Sequence, residues 1–175
     1  MNEAINVIDA IRKRRSIRKF KLGASVTDDQ IKLLLEAAMM APSACNTRPW
    51  EFIVVNDREK LDELAASHPY AKMLETASFS IIVCALPDVQ KEIASGYFPQ
   101  DCAAATQNIL IQAAALGLGS CWCGVYPKEE RIAEVRTVLG IARQDIIPFN
   151  IIAIGVPDVS PDSKGFYEEN KVRYI

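Results

Sequence analysis

The chain has 175 residues, 20 Lys and Arg against 22 Asp and Glu, and a composition that is 50% hydrophobic and 24% charged. That length suits one domain able to bury a core of its own, and that composition excludes a disordered chain. A net charge of −2 exerts no general pull toward nucleic acid or an anionic membrane.

In chain order, Ile5, Ile8 and Ile11 are spaced three apart and predict a short amphipathic helix over residues 3–13. Glu3 and Asp9 make this start unlike a signal peptide. Thr27 with Gln30 has the pattern of a capping box, and Ile31, Leu34, Leu35 and Ala38 mark one face of a second helix ending before Pro42. The segment PSACNTRPW then reads as an irregular loop. Glu51 to Val55 is expected as a strand, Asp57 as the cap of a helix burying Leu61, Leu64 and Ala65, and Ser80 to Ala85 as a central strand.

The longest helix is predicted from Gln100 to Leu116, stopped by Gly117. It is small or apolar on nearly every side, which places it in the core and near a subunit interface. CWCGVY fits a short strand or an extended turn. Lys128 to Leu139 is helical with Gly140 as its stop, and Phe149 to Gly155 is a third strand. The last 20 residues have no helix pattern. No stretch approaches the ~20 apolar residues of a bilayer span. Cys45, Cys84, Cys102, Cys121 and Cys123 are an odd set without a disulfide pattern, which suits a reducing cytoplasm.

Seven of the 20 basic residues lie between Arg12 and Lys21. Within that run RRSIR offers three guanidiniums and a hydroxyl. Such a set suits phosphate oxygens, and equally a solvated turn at a helix C-terminus. A nucleic-acid arm is disfavoured, because no interleaved aromatics or second basic patch accompany it. Ser43 and Asn46, held between prolines, can face the edge of a planar heterocycle or simply form an Asx turn. GLGSCWCG is no dinucleotide fingerprint, since it follows a helix and its glycine spacing is wrong. Its glycines permit close backbone approach to a flat ligand. Of Cys121 and Cys123, one is expected to pack inward. A metal or redox pair is disfavoured without C-x-x-C spacing or a nearby histidine.

His68, the single histidine, leaves little room for a triad mechanism or a His-rich metal site, and beside Pro69 it reads as a surface loop residue. Adjacent carboxylates such as Asp28 and Asp29, or Glu129 and Glu130, sit at helix starts, where the dipole explains them. A phosphate-like pocket without catalytic side chains points to a cofactor that carries the chemistry.

Taken together, RRSIRKF (14–20), APSACNTRPWEFIVV (41–55), GLGSCWCGVYP (117–127), IAIGVP (152–157) and KVR (171–173) resemble the nitroreductase-like FMN flavoproteins. That resemblance implies an α+β sandwich, with a mostly antiparallel sheet between helices, in an intertwined homodimer. Residues 1–155 would form the FMN-binding domain and 156–175 an arm reaching the partner. It also implies that Arg14, Arg15, Ser16 and Arg18 hold the FMN phosphate and the pyrimidine side of the ring. Pro42, Ser43 and Asn46 would come from the partner and border the isoalloxazine, with Cys123 and Gly124 near N5. Lys171 and Arg173 would reach the phosphate.

Two departures stand out. Arg48 takes a place where the family often has glutamine, and the chain stops at Ile175 without the inserted helices of longer members. The activity implied is hydride transfer from NADH or NADPH, through FMN, to a small electron-poor acceptor such as a nitroaromatic or quinone, in the cytoplasm. No role with nucleic acid or membrane is expected. The alternatives are a flavin carrier without turnover, or another reaction on the same fold.

Overall fold

The computed structural model describes residues 6–162, 165 and 167–175. Its elements run α1 (Val7–Lys13), α2 (Asp28–Met39), β1 (Trp50–Val55), α3 (Arg58–Ser67), β2 (Phe79–Ala85), α4 (Phe98–Ala115), β3 (Gly119–Gly124), α5 (Glu129–Leu139) and β4 (Ile147–Gly155). The strands form one sheet in the order β1-β2-β4-β3, antiparallel at every pairing. Ile5, part of the first helix pattern, lies outside the described residues.

The two central strands are apolar on both faces because each face carries a helical layer. Ile82, Cys84, Ile151 and Ala153 pack with Leu61 and Leu64 of α3 and Ile132 and Val135 of α5. On the other face Ile81, Val83, Ile152 and Ile154 pack with Leu34 and Ala38 of α2 and Cys102 and Ile109 of α4. The alternation of inward residues along each strand thus serves two cores. The α+β sandwich implied by the family resemblance is the fold found.

Local signals account for the boundaries. Thr27 accepts from Gln30 N, and the Gln30 side chain returns to the Thr27 N–H, closing the capping box. Asp57 accepts from Lys60 N at the start of α3, and Gly140 ends α5 at φ 64°. Helix α4 begins two residues earlier than expected, since Pro99 sits in its first turn, where a missing N–H costs nothing. Strand β4 begins at Ile147 and so contains Pro148. The β2–β4 register shifts between Val83 and Cys84 there, and that irregularity accommodates a residue unable to donate.

Three readings are corrected. His68 is no surface residue: it is only 2% exposed, and its ring closes the end of β3. Cys121 and Cys123 both point inward, as two residues apart on a strand must. Helix α4 is not covered all round. Asp101, Cys102, Ala105, Ile109 and Ala113 are buried, whereas Gln107 is exposed and Ala104 and Ile111 are half-buried.

Candidate functional site

After α1 the chain turns extended and runs beside β3 and the exit of β4. Ile17 N donates to Ser120 O (2.9 Å), Lys21 N to Val156 O (2.9 Å), and Asp158 N to Lys19 O (3.0 Å). Ile17 and Phe20 are its buried anchors. The approach to β3 is so close that a Cβ on Gly119 would stand 2.8 Å from Ile17 Cγ2. Pinning the apolar residues turns the basic ones outward. Arg14 and Arg15 line a cavity of about 420 Å³ with Gly119, Ser120, Pro157 and Asp162. Arg18 lines a second, of about 820 Å³, with Tyr70, Lys72, Trp122, Cys123 and Gly124. Ser16 lies between these arginines, exposed and bridged to Ser120.

Among the described residues no carboxylate forms an ion pair with Arg14, Arg15 or Arg18. Arg15 instead donates to the Asp162 carbonyl at 2.8 Å. Guanidiniums gathered on cavity walls without ion-pair partners have the donors to receive an anion.

Strand β3 is an edge strand, and the outward direction of its groups can be worked out. In an antiparallel ladder the N–H and C=O of one residue point the same way, and the direction alternates. Ser120 O accepts from Ile17 and so points away from β4. Ser120, Trp122 and Gly124 therefore turn their N–H groups toward the open edge. At Gly124 the carbonyl receives His68 Nε2 (2.9 Å) and an Arg131 guanidinium N–H (3.2 Å). His68 Nδ1 accepts the Tyr70 N–H at 3.2 Å, which leaves the ring proton on Nε2 for Gly124. Both Cys121 and Cys123 lie in the floor of the larger cavity. The Cys121 thiol is lowered to about 7 by a hydrogen bond from Cys123 and by the charge of Arg18, against the effect of burial. Cys123 is pushed up by the same hydrogen bond and by burial.

Pro42, Ser43 and Asn46 occupy a different part of the molecule. Their loop contains three non-glycine residues at left-handed φ: Cys45 (51°), Asn46 (54°) and Arg48 (49°). Arg48 clasps it from within, its N–H on Ser43 Oγ (2.9 Å) and its Nε on Asn46 Oδ1 (3.1 Å). From outside, Ala44 N donates to the buried Asp101 carboxylate (3.0 Å), whose other oxygen takes Gln90 Nε2 (3.3 Å). Asp101 stands in the first turn of α4, while Ala114, near its end, borders the Arg14–Arg15 cavity. At 1.5 Å per residue those points are about 20 Å apart. Within one protomer the Ser43–Asn46 loop and the Arg14–Arg15 cavity thus lie at opposite ends of α4. Lys171 and Arg173 are exposed in the C-terminal segment, Lys171 paired with Glu168 at 2.5 Å.

Sequence reasoning missed Lys72, Tyr70 and Trp122 on the larger cavity, and Asp101 behind the loop. None carries a local motif, and only the packing of separate segments brings them to the site.

The nitroreductase family profile matches residues 11–69 and 65–156. The chain belongs to the nitroreductase family. A relative in this family from Methanothermobacter thermautotrophicus, provisionally named NADH dehydrogenase/NAD(P)H nitroreductase, is 41% identical over 96% of this chain and 86% of its own. A similarly named Bacteroides thetaiotaomicron crystal structure superposes with a TM-score of 0.88 at 42% identity, covering 96% of each chain. The structure of an FMN-dependent nitroreductase from Clostridium difficile gives 0.87 at 31% identity, over 95% of this chain and 98% of that one.

Proposed function

We propose that this nitroreductase-family chain is an FMN-dependent oxidoreductase that takes hydride from NADH or NADPH and reduces an electron-poor acceptor such as a nitroaromatic or quinone. The observation that carries the reading is the trio Arg14, Arg15 and Arg18 on two neighbouring cavities, without carboxylate partners among the described residues, beside the open edge of β3. That donor set fits FMN. Arg14, Arg15 and Ser16 suit its phosphate, and Arg18 with Lys72 suits the electron-rich pyrimidine edge. The outward N–H of Gly124 suits a ring nitrogen, Cys123 contributing its neighbouring backbone. Bound there, FMN supplies the hydride-transfer chemistry between nicotinamide and acceptor.

The chain's own part is electrostatic. Cations and backbone donors fixed in advance favour the anionic form of a reduced ring without needing a catalytic acid or base. The names of the relatives support the same donor and cofactor.

The separation of the two half-sites supports a homodimer in which the partner subunit's Pro42, Ser43 and Asn46 border the ring. Val7, Ile8 and Ile11 of α1 are each at least half exposed, and α4 leaves one small-residue face partly open; together they offer an interface. Lys171 and Arg173, in the arm formed by residues 156–175, would reach a phosphate in that assembly. Among the described residues no helix is long and apolar enough to cross a membrane, and five free cysteines fit a cytoplasmic location.

The test is a visible spectrum of the purified protein before and after anaerobic NADH or NADPH, with the released cofactor identified by chromatography. Yellow protein that releases FMN, bleaches with a nicotinamide and recolours with menadione is the expected result. Flavin that resists both nicotinamides favours the carrier reading. Protein that neither carries nor takes up FMN overturns the proposal.

A further inference from the structure

His68 is the single histidine, and the flavin reading gives its buried ring no task. It stands just past the end of α3 with both ring nitrogens spent on backbone groups. Nε2 donates to the Gly124 carbonyl at 2.9 Å, and Nδ1 accepts the Tyr70 N–H at 3.2 Å. The Cys123 thiol in turn donates to the Tyr70 carbonyl at 3.2 Å, so the Tyr70 backbone is held at both of its polar groups. One rigid ring thus ties together two walls of the 820 Å³ cavity: the end of β3, and the segment that carries Tyr70 and Lys72. On the flavin reading above, we infer that His68 is a positioning residue, which holds Gly124 so that its outward N–H is aimed at N5 of the ring.

Gly124 needs such a hold. It is the last residue of β3, and beyond it both Val125 N and Tyr126 N turn to the same acceptor, Phe149 O, so the regular ladder ends there. Glycine has the widest backbone freedom of any residue, and a Cβ at this position would meet nothing within 4 Å. No side-chain packing therefore sets its direction, and the grip on its carbonyl does. Arg131 adds a second donor to that carbonyl at 3.2 Å, from a half-buried place over the Tyr70 ring. The His68 bond is the shorter, and it is made by a side chain only 2% exposed, where water competes least. A donor fixed in advance serves hydride transfer only while it stays aimed.

The choice of histidine also follows. An imidazole with its proton on Nε2 donates on one side and accepts on the other, in one plane. An amide side chain reproduces only half of this. His68→Gln carries an N–H to about the place of Nε2, and His68→Asn carries an oxygen to about the place of Nδ1.

The experiment loads wild type and variants with isotope-labelled FMN and reads the N5 resonance by NMR, which a hydrogen bond moves upfield. His68→Leu and His68→Asn should move N5 downfield, toward a flavin without a hydrogen bond there, and His68→Gln should leave it in place. Hydride delivery from the nicotinamide, followed anaerobically, should slow about tenfold or more in the first two while KM holds. An N5 signal unmoved in His68→Leu, or moved as far by His68→Gln, overturns the assignment. Should the variants fail to fold, the wild-type protein decides, since its one histidine gives one pair of ring-nitrogen signals. A proton on Nε2 whose signal shifts when the flavin is reduced supports the role; a proton on Nδ1, or a signal indifferent to reduction, overturns it. Wild-type protein that takes up no FMN overturns both readings, whereas bound FMN whose N5 ignores the substitutions overturns this one alone.

Discussion

Side chains from distant parts of the chain hold two strained or crowded places. Left-handed φ at Cys45, Asn46 and Arg48 costs on the order of 1–3 kcal/mol each where nothing compensates. Here Asp101 fixes Ala44, and Arg48 fixes Ser43 and Asn46. Replacing Asp101 with Ala leaves the Ala44 N–H and the Gln90 amide without that acceptor. Urea denaturation should show a loss of roughly 1–3 kcal/mol. Gly119→Ala acts at the other half-site, forcing a Cβ to 2.8 Å from Ile17 Cγ2. It should cost about 1–3 kcal/mol and push Ser16 and its arginines off β3. The flavin-to-protein ratio after gel filtration should fall with Tm.

Cys121 carries a pH signature. Its thiol is lowered from 9.0 to about 7, chiefly by the Cys123 hydrogen bond and further by Arg18, so its thiolate fraction rises as pH rises through 7. Iodoacetamide labelling followed by peptide mass spectrometry should show a midpoint for Cys121 near 7. Arg18→Ala should move that midpoint upward, and a midpoint that stays in place would remove Arg18 as a cause.

Among the elements, helices that start on a side-chain cap were legible at once. The capping box at Thr27 closes as the spacing to Gln30 requires, and Thr27→Ala should lower stability by about 1 kcal/mol, measurable as a shift in urea midpoint at unchanged m-value. Periodicity placed the strand cores but not their ends. Strand β4 runs through Pro148 because β2 shifts register opposite it, and no pattern within IIPFN announces a partner's irregularity. CWCGVY could not be read because its polarity alternates only weakly. β3 exists because β4 supplies a pairing edge, and the Ile17 N–H then takes part of its other side. His68 was misplaced for a related reason. A histidine beside proline looks like loop, yet two backbone groups distant from or adjacent to it satisfy both ring nitrogens and let it be buried.

For the whole molecule, the decisive geometry is the length of α4, along which Asp101, holding the Ser43–Asn46 loop, and Ala114, bordering the Arg14–Arg15 cavity, stand about 20 Å apart. On the homodimer proposed above, a flavin bordered by both draws them from two protomers. Mixing denatured Arg14→Ala and Asn46→Ala chains and refolding them together should therefore restore one flavin site per mixed dimer, since one site recovers both residues and the other loses both. Each variant refolded alone should retain little. Equal flavin content in the mixture and in the separate variants would assign both half-sites to one protomer.

What the sequence determined by itself was what local chemistry can encode: a mixture of helices and strands, the caps, the apolar strand cores, and a basic run clustered closely enough to look like an anion receptor. Tertiary structure alone decided which cavity each arginine faces, that Lys72 and Trp122 join Arg18 there, that Cys121 and Cys123 share its floor, and that the Ser43–Asn46 loop stands away from the Arg14–Arg15 cavity. Those facts depend on where separate segments dock on one sheet, and docking is settled by burial summed over many residues rather than by any motif.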